Sequence, residues 1–194
     1  MFKVFLIVCM LTFAQFSLAE DLKLVEAARK QIGVTKSYDP QYTKLAYPNG
    51  DVDRSKGVCT DVVIRALREA HQIDLQKLVH EDMAENFRLY PKNWGLKKTD
   101  KNIDHRRVPN LQIYFKRHWK SLAITQDVAQ YQAGDVVTVM LPGNLPHIML
   151  VSDAKARGFL TNNEPLVIHN IGRGTKEEAS LLSYQITGHF RKPE

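Results

Sequence analysis

Cysteine is almost absent from this sequence, which contains only Cys9 and Cys59 among its 194 residues. Cys9 lies in an N-terminal segment that we expect to be removed during export, so the mature chain would keep a single thiol. A single thiol forms no internal disulfide, and this excludes the class of small disulfide-stapled domains. Nucleophilic catalysis is the leading interpretation of Cys59, and a small buried apolar side chain is the alternative.

Long apolar runs are equally rare, since the chain has one, residues 4–16, which follows Lys3. Ser17 and Ala19 supply the small side chains that a signal peptidase requires, so residues 1–19 are predicted to be a signal peptide. The run is short for a membrane span, and no stable membrane anchor is expected after cleavage. These features predict an exported protein of the periplasm or cell envelope.

Recognisable nucleic-acid-binding motifs are also missing, so a nucleic-acid partner is not expected. The formal net charge is +6, and much of the basic excess lies between Lys92 and Lys120. A solvated face usually explains such a run, and contact with an anionic polymer or with substrate carboxylates is the alternative. Residues 20–194 suffice for a single domain with its own core, which we expect to be monomeric and to need no cofactor.

Apolar residues recur at helical spacing in the first part of the chain and at strand spacing in the last part. Helices followed by a run of short strands indicate an α+β domain with an antiparallel sheet. The predicted helices are residues 21–32, 60–71, 74–90 and 109–119, and the predicted strands are residues 136–141, 147–152, 166–171 and 184–190.

Cys59 follows a turn-rich segment, residues 37–56, and directly precedes a helical pattern, so it is predicted to lie at a helix N-terminus. At that position the free backbone N–H groups and the helix dipole favour negative charge and lower the pKa of a thiol. The same N–H groups would stabilise an oxyanion on an attacked carbonyl. Cys59 is therefore the candidate nucleophile.

A base for this nucleophile is predicted in His147, which begins a strand directly after Pro146. Because side chains alternate along a strand, His147 should share a face with Met149 and Val151. We expect that face to meet the helix that carries Cys59.

The third group of a catalytic triad is predicted on the neighbouring strand, where His169 and Asn170 are adjacent. If the two strands pair, His169 shares a face with His147 and can orient its imidazole. Asn170 points to the opposite face of a regular strand, although a β-bulge would reverse this order. His169 is therefore the first candidate and Asn170 the alternative.

Parts of the chain resemble the NlpC-type papain-like cysteine peptidases, which act on bacterial cell-wall peptides. The order Cys59, His147, His169 matches that family's order of nucleophile, base and polar third residue. The segments that resemble its opening helix, its strand entry and its histidine strand are residues 24–34, 131–137 and 146–151.

The chain is still more similar to a family of small exported bacterial proteins that is labelled a domain of unknown function and grouped with these peptidases. That similarity is carried by residues 57–63, 168–172 and 186–190.

The resemblance implies a papain-like α+β fold with N-terminal helices packed on a C-terminal antiparallel sheet. It also implies that Cys59, His147 and His169 hydrolyse an amide bond in peptidoglycan stem peptides through an acyl-enzyme, with peptidoglycan or its fragments as partner. Residues 72–130 would be a basic helical insertion between nucleophile and histidine, and we expect them to form one wall of the substrate cleft.

The sequence departs from the NlpC-type pattern next to the nucleophile, where Val58 precedes Cys59 and Thr60-Asp61 follow it. A carboxylate that faced the sulfur would oppose thiolate formation. We therefore expect Asp61, if it points into the cleft, to contact substrate or Arg65.

Further side chains are candidates for substrate contact because stem peptides carry free carboxylates, which arginine binds through paired hydrogen bonds. The candidate carboxylate anchors are Arg106, Arg107 and Arg173, and the candidate cleft walls are Tyr38, Tyr42 and Tyr47.

Two other functions fit the same residues. Cys59, His147 and His169 are a plausible zinc ligand set, although their spacing is unlike that of compact zinc motifs. Alternatively, the chain is a non-catalytic cell-wall-binding module in which the thiol has no chemical role.

Overall fold

The computed structural model describes residues 19–157 and 163–193. The predicted signal peptide, apart from its last residue, lies outside the described residues, and so does Cys9. Within the described ranges, no helix combines the length and the apolar character that crossing a membrane requires.

The described chain forms helices in its first part and most of its strands in its second. The helices are α1 (residues 19–29), α2 (Cys59–His71), α3 (Leu75–Glu85) and α4 (Val108–His118). The strands are β1 (Ser37–Tyr38), β2 (Lys56–Gly57), β3 (Lys120–Ser121), β4 (Val136–Leu141), β5 (Leu145–Lys155), β6 (Pro165–Asn170), β7 (Thr175–Glu178) and β8 (Gln185–Arg191).

The larger sheet has the strand order β3-β8-β4-β5-β6-β7, and all of its neighbouring strands are antiparallel. The short strands β1 and β2 form a separate parallel pair. Helix α2 packs on β5 and β6, which places its N-terminus against the middle of the sheet. The predicted α+β fold with helices on a C-terminal antiparallel sheet is confirmed.

Helix α2 forms where its sequence provides both a start and an end. Val58 is extended, and its N–H donates to the Asp61 carboxylate at 2.7 Å, so a first-turn side chain satisfies a backbone group at the helix start. At the other end Gln72 adopts the left-handed conformation (φ 57°) and its N–H bonds to the Arg68 carbonyl. The apolar positions between them are buried, namely Val62, Val63, Ala66 and Leu67.

The two faces of the sheet pack against different parts of the chain. On one face, here called the helix side, Ile148 and Leu150 of β5 join a core that includes the apolar side of α2. On the other, here called the far side, Met149 and Val151 join a second core that includes Leu181. This alternation decides which side chains of β5 and β6 can reach α2.

The predicted boundaries differ from the observed ones where local signals are weak. The third helix ends at Glu85 rather than at Tyr90, and a single 3-10 turn, Phe87–Leu89, follows it. Strand β7 was not predicted, because its sequence, Thr-Lys-Glu-Glu, has no apolar residue to reveal a period of two. It forms because it pairs with β6 along its whole length.

Candidate active site

Cys59 begins α2 and lies in a cleft with only 4% of its surface exposed. The residue just before its helix cap, Gly57, pairs with Tyr38 of β1. This pairing brings the Tyr38 hydroxyl to the thiol as a hydrogen-bond partner. From the sheet, the backbone N–H of Ile148 in β5 also points at the sulfur. The nucleophile is therefore held between the β1–β2 pair and strand β5.

Burial raises the pKa of the Cys59 thiol to about 11. The N–H of Ile148, the Tyr38 hydroxyl and the N–H of Thr60 act in the opposite direction, while the charge of Asp61 adds to the rise. The N–H of Thr60 at the helix N-terminus lowers this pKa as predicted, but desolvation outweighs it and the net shift is upward. At neutral pH Cys59 is a thiol whose proton must be removed before it can attack.

The raised thiol pKa predicts how Cys59 reacts with iodoacetamide. Only the thiolate alkylates, so the rate should rise about tenfold per pH unit between about pH 6 and pH 9, without a plateau. Mass spectrometry that locates the adduct on Cys59 at each pH measures this rate. A rate that is already constant around neutral pH would indicate a preformed thiolate–imidazolium pair and would contradict the structure.

His147 and His169 lie side by side on β5 and β6. Nε2 of His147 is 2.8 Å from Nδ1 of His169, and both side chains are almost fully buried. Burial lowers the pKa of His147 to about 3, and burial also lowers the pKa of His169. The predicted pairing of the two histidines across neighbouring strands is observed, and both rings are neutral at pH 7.

The predicted direction of the His147 face was wrong. His147 shares its face with Met149 and Val151, as expected, but that face is the far side of the sheet and not the side that meets α2. The residue that faces α2 is Ile148. The even-numbered residues of β5 face the helices. Alternation shows which residues share a face, but it does not determine which face meets α2.

The sulfur of Cys59 nevertheless lies beside the peptide that joins His147 to Ile148, because the N–H of Ile148 points at it. The pairing of β5 with β6 runs from Leu150, opposite Ile168, toward the C-terminal end of β5, so His147 precedes the paired stretch. The His147 ring uses Nε2, not Nδ1, for its hydrogen bond to His169. Cys59 thus lies beside the end of β5 that carries His147.

Asn170 occupies the helix side of β6 and is fully buried. Its Nδ2 donates to the carbonyls of Ser37 at 3.2 Å and Gly57 at 3.1 Å, and its Oδ1 accepts from the N–H of Gly172. Asn170 therefore connects β6 to the β1–β2 pair beside the nucleophile. The residue that hydrogen-bonds His147 is His169 and not Asn170.

Asp61 is paired with Arg106 and not with Arg65. Its carboxylate accepts two hydrogen bonds from Arg106, at 3.0 and 2.9 Å, besides the one from Val58. The Asp61 and Arg106 side chains are 5% and 2% exposed. Arg65 binds Asp51 instead, at 2.9 Å. The expected contact with Arg65 is not made, because a buried arginine from residues 72–130 satisfies the charge of Asp61.

A cleft of about 570 Å³ opens above Cys59. One wall of the cleft comes from the segment before α2 and the other from residues 93–109, which lie within residues 72–130. That this is the substrate cleft stays a prediction. Arg107 stacks on Trp94 in that wall, 4.1 Å from the ring centre. Other lining residues are Tyr38, Tyr42, Asn93, Ile103, Arg106, Asn144 and Pro146.

Two predicted substrate-contact residues lie outside this cleft. The ring of Tyr47 packs edge-on against His80, and Tyr47 is not among the described residues that line the cleft. Arg173 lines a separate pocket of about 370 Å³ together with His169 and Lys176. Of the arginine candidates, Arg106 and Arg107 line the Cys59 cleft, and Arg107 makes the longer ion pair, 3.5 Å to the buried Asp104 against 2.9 Å from Arg106 to Asp61.

The proposed zinc ligands do not converge in this structure. Within residues 19–157 and 163–193, no three His, Cys, Asp or Glu side chains are grouped so as to hold a metal ion. His147 and His169 use facing ring nitrogens on each other, so these two nitrogens are not both available to one metal ion. This arrangement does not suit a tetrahedral site.

Comparison with known proteins assigns the family. Residues 25–192 match the family described as Domain of unknown function (DUF1287). The chain belongs to this family. A relative from Escherichia coli (strain K12), titled "Uncharacterized protein YijF", is 52% identical over 180 residues, and the match covers 93% of this chain and 85% of the relative.

A solved structure titled "Structure of NlpC1 from Trichomonas vaginalis" is also similar, with 11% identity and a TM-score of 0.44. The match covers 89% of this chain, which spans only 43% of that chain. A likeness of this size supports no conclusion about the activity or substrate of this chain.

Proposed function

We propose that this chain is an exported cysteine amidohydrolase that cleaves an amide bond in peptidoglycan stem peptides. The observation that carries the proposal is a cysteine at a helix N-terminus under an open cleft, whose sulfur accepts from the N–H of Ile148, the residue that follows His147. His147 in turn contacts His169. The sequence resemblance to NlpC-type peptidases supplies the substrate class. The predicted signal peptide supplies the location, the periplasm or cell envelope.

In the proposed reaction, Nδ1 of His147 takes the proton of the Cys59 thiol as the sulfur attacks the carbonyl carbon. The new S–C bond moves an electron pair onto the carbonyl oxygen. The N–H of Cys59 at the helix start would donate to that oxyanion. The Tyr38 hydroxyl, which already contacts the thiol, would be a second donor. These donors would stabilise charge that is present only during the reaction.

The tetrahedral intermediate collapses when the C–N bond breaks and the His147 imidazolium gives its proton to the leaving amine. An acyl-enzyme on Cys59 remains. Water then attacks the thioester and gives one proton to His147, after which the thiol leaves with that proton. His169 holds the imidazole of His147 in one orientation throughout, through the 2.8 Å contact between the rings.

The cleft wall fits a substrate that carries free carboxylates. Arg107 lines the cleft, is stacked on Trp94 and pairs with Asp104 only at 3.5 Å. A planar guanidinium fixed on an aromatic ring binds a carboxylate through two parallel hydrogen bonds. Arg106 is not available for this, because Asp61 occupies it.

Incubation of the purified protein with sacculi tests the proposal. Mass spectrometry of the soluble fraction should show peptide-bearing fragments that appear with wild type and not with the Cys59→Ala variant, and their masses identify the bond. The zinc function is excluded if the protein remains active after treatment with a chelator and if metal analysis finds less than one zinc ion per chain. Equal fragment release by both proteins, or none by either, contradicts the hydrolase proposal.

A non-catalytic cell-wall-binding module is the second candidate, and one observation favours it. The thiol pKa is raised to about 11 by burial, as expected for a cysteine that packs as a small apolar side chain. In that case the Cys59→Ala variant binds sacculi as wild type does, and neither protein releases fragments. Co-sedimentation with sacculi, measured beside fragment release, distinguishes the two functions.

A further inference from the structure

A row of three side chains crosses three adjacent strands on the far side of the sheet. His147 lies on β5, His169 on β6 and Glu178 at the end of β7, the edge strand. Nε2 of His147 is 2.8 Å from Nδ1 of His169, and Nε2 of His169 is 3.0 Å from Oε1 of Glu178. Both nitrogens of His169 therefore have a partner.

The partners determine where the protons lie. A carboxylate only accepts hydrogen bonds, so Nε2 of His169 carries a proton and donates it to Glu178. Because a neutral imidazole has one N–H, Nδ1 of His169 is then an acceptor. Nε2 of His147 must donate to it, which leaves Nδ1 of His147 without a proton. These hydrogen bonds thus leave Nδ1 of His147 unprotonated, which is the state that the proposed mechanism requires of its base.

Burial is consistent with neutral rings in this row. His147 and His169 are 2% and 1% exposed, so a positive charge on either ring would be poorly solvated. The Glu178 side chain is 42% exposed and so reaches water at the edge of the sheet. Lys176, opposite His169 on β7, faces the same side and further disfavours a charged His169.

We propose that Glu178 is a positioning residue that sets the tautomers of His169 and His147, so that Nδ1 of His147 is the free base of the reaction. The role of this base rests on the proposed function, whereas the tautomers themselves do not. The adjacent Glu177 points to the helix side, where it binds Arg29 at 2.8 Å. It offers a matched control on the same strand.

Nitrogen-15 NMR of histidine-labelled protein measures the tautomers directly. In wild type we expect the proton on Nε2 of both His147 and His169, with Nδ1 of each in the unprotonated shift range. The Glu178→Leu variant should lose this preference and show a mixture of tautomers. Glu178→Gln retains an acceptor oxygen and should keep the wild-type pattern, and Glu177→Gln should keep it as well.

The hydrolytic rate on sacculi provides the second measurement. Glu178→Leu should lower it roughly 10-fold to 100-fold, the usual effect of removing a carboxylate that orients a functional histidine. Glu178→Gln should restore most of the rate, and Glu177→Gln should leave it unchanged. If wild type hydrolyses nothing, the proposed function fails while the NMR pattern still decides the tautomers.

A proton on Nδ1 of His147 in wild type overturns the inference, even if Glu178→Leu does not fold. Unchanged tautomers in a folded Glu178→Leu variant overturn it too. A hydrolytic loss that is equal in Glu178→Leu and Glu177→Gln would show that removing either glutamate acts through the stability of β7 alone, and would also contradict the inference.

Discussion

The Cys59→Ala variant is expected to lose all fragment release, and the His147→Ala variant is expected to retain between about 10⁻² and 10⁻⁴ of the wild-type kcat/KM. Alanine at position 59 removes the nucleophile. Without the imidazole of His147, attack depends on thiolate formed spontaneously, and a pKa of about 11 leaves a thiolate fraction near 10⁻⁴ at pH 7. Kinetics on a soluble muropeptide measures both losses.

The His147→Ala variant has a second signature. Its residual rate should rise about tenfold per pH unit, because hydroxide replaces the missing base in forming the thiolate. His118→Ala is the matched control, since His118 ends α4 far along that helix from the cleft residue Pro109 and is partly exposed. Its activity should equal that of wild type. Full activity in His147→Ala would mean that another group accepts the proton.

Replacing either Asp61 or Arg106 with alanine is expected to lower the free energy of unfolding by about 3–5 kcal/mol. Each change leaves the partner's charge buried and unpaired, and the side chains in the pair are 5% and 2% exposed. Asp61→Ala also removes the acceptor of the Val58 N–H at the start of α2. Urea unfolding followed by circular dichroism measures the loss.

A double-mutant cycle provides the control for this ion pair. The Asp61→Ala, Arg106→Ala double variant should lose much less than the sum of the single losses, because no unpaired charge remains. Lys77 and Glu81 form a surface pair at 3.5 Å with both side chains half exposed, so Glu81→Ala should cost only about 0–1 kcal/mol. Single losses below about 1 kcal/mol at Asp61 and Arg106 would show that the pair is effectively solvated.

The order of elements was predictable because it depends on local patterns. The stripe of apolar residues in α2 and the alternation in β4 and β5 are read within a few residues, and the predicted boundaries of β4 agree with the observed ones. Strand β7 escaped prediction because its charged residues acquire strand structure only from the pairing with β6. Glu178, which this strand carries to His169, was missed for the same reason.

The candidate site was predictable in its parts and not in its assembly. The histidine pair follows from two strands that are neighbours in sequence and in the sheet, so His147 and His169 were expected to meet, and they do. Which face of β5 meets α2 depends on how the sheet packs, and the expectation was wrong on that point. The partner of Asp61 lies 45 residues away in a segment without periodic signals.

The sequence by itself determined the class of fold, the place of Cys59 at the start of a helix, and the histidines of the following strands, because helix starts and strand periods are local properties. Only the tertiary structure decided the electrostatics of the site. Burial raises the pKa of the Cys59 thiol to about 11 where the helix position alone favours the thiolate. Desolvation depends on every group packed around the sulfur, and those groups come from distant parts of the chain.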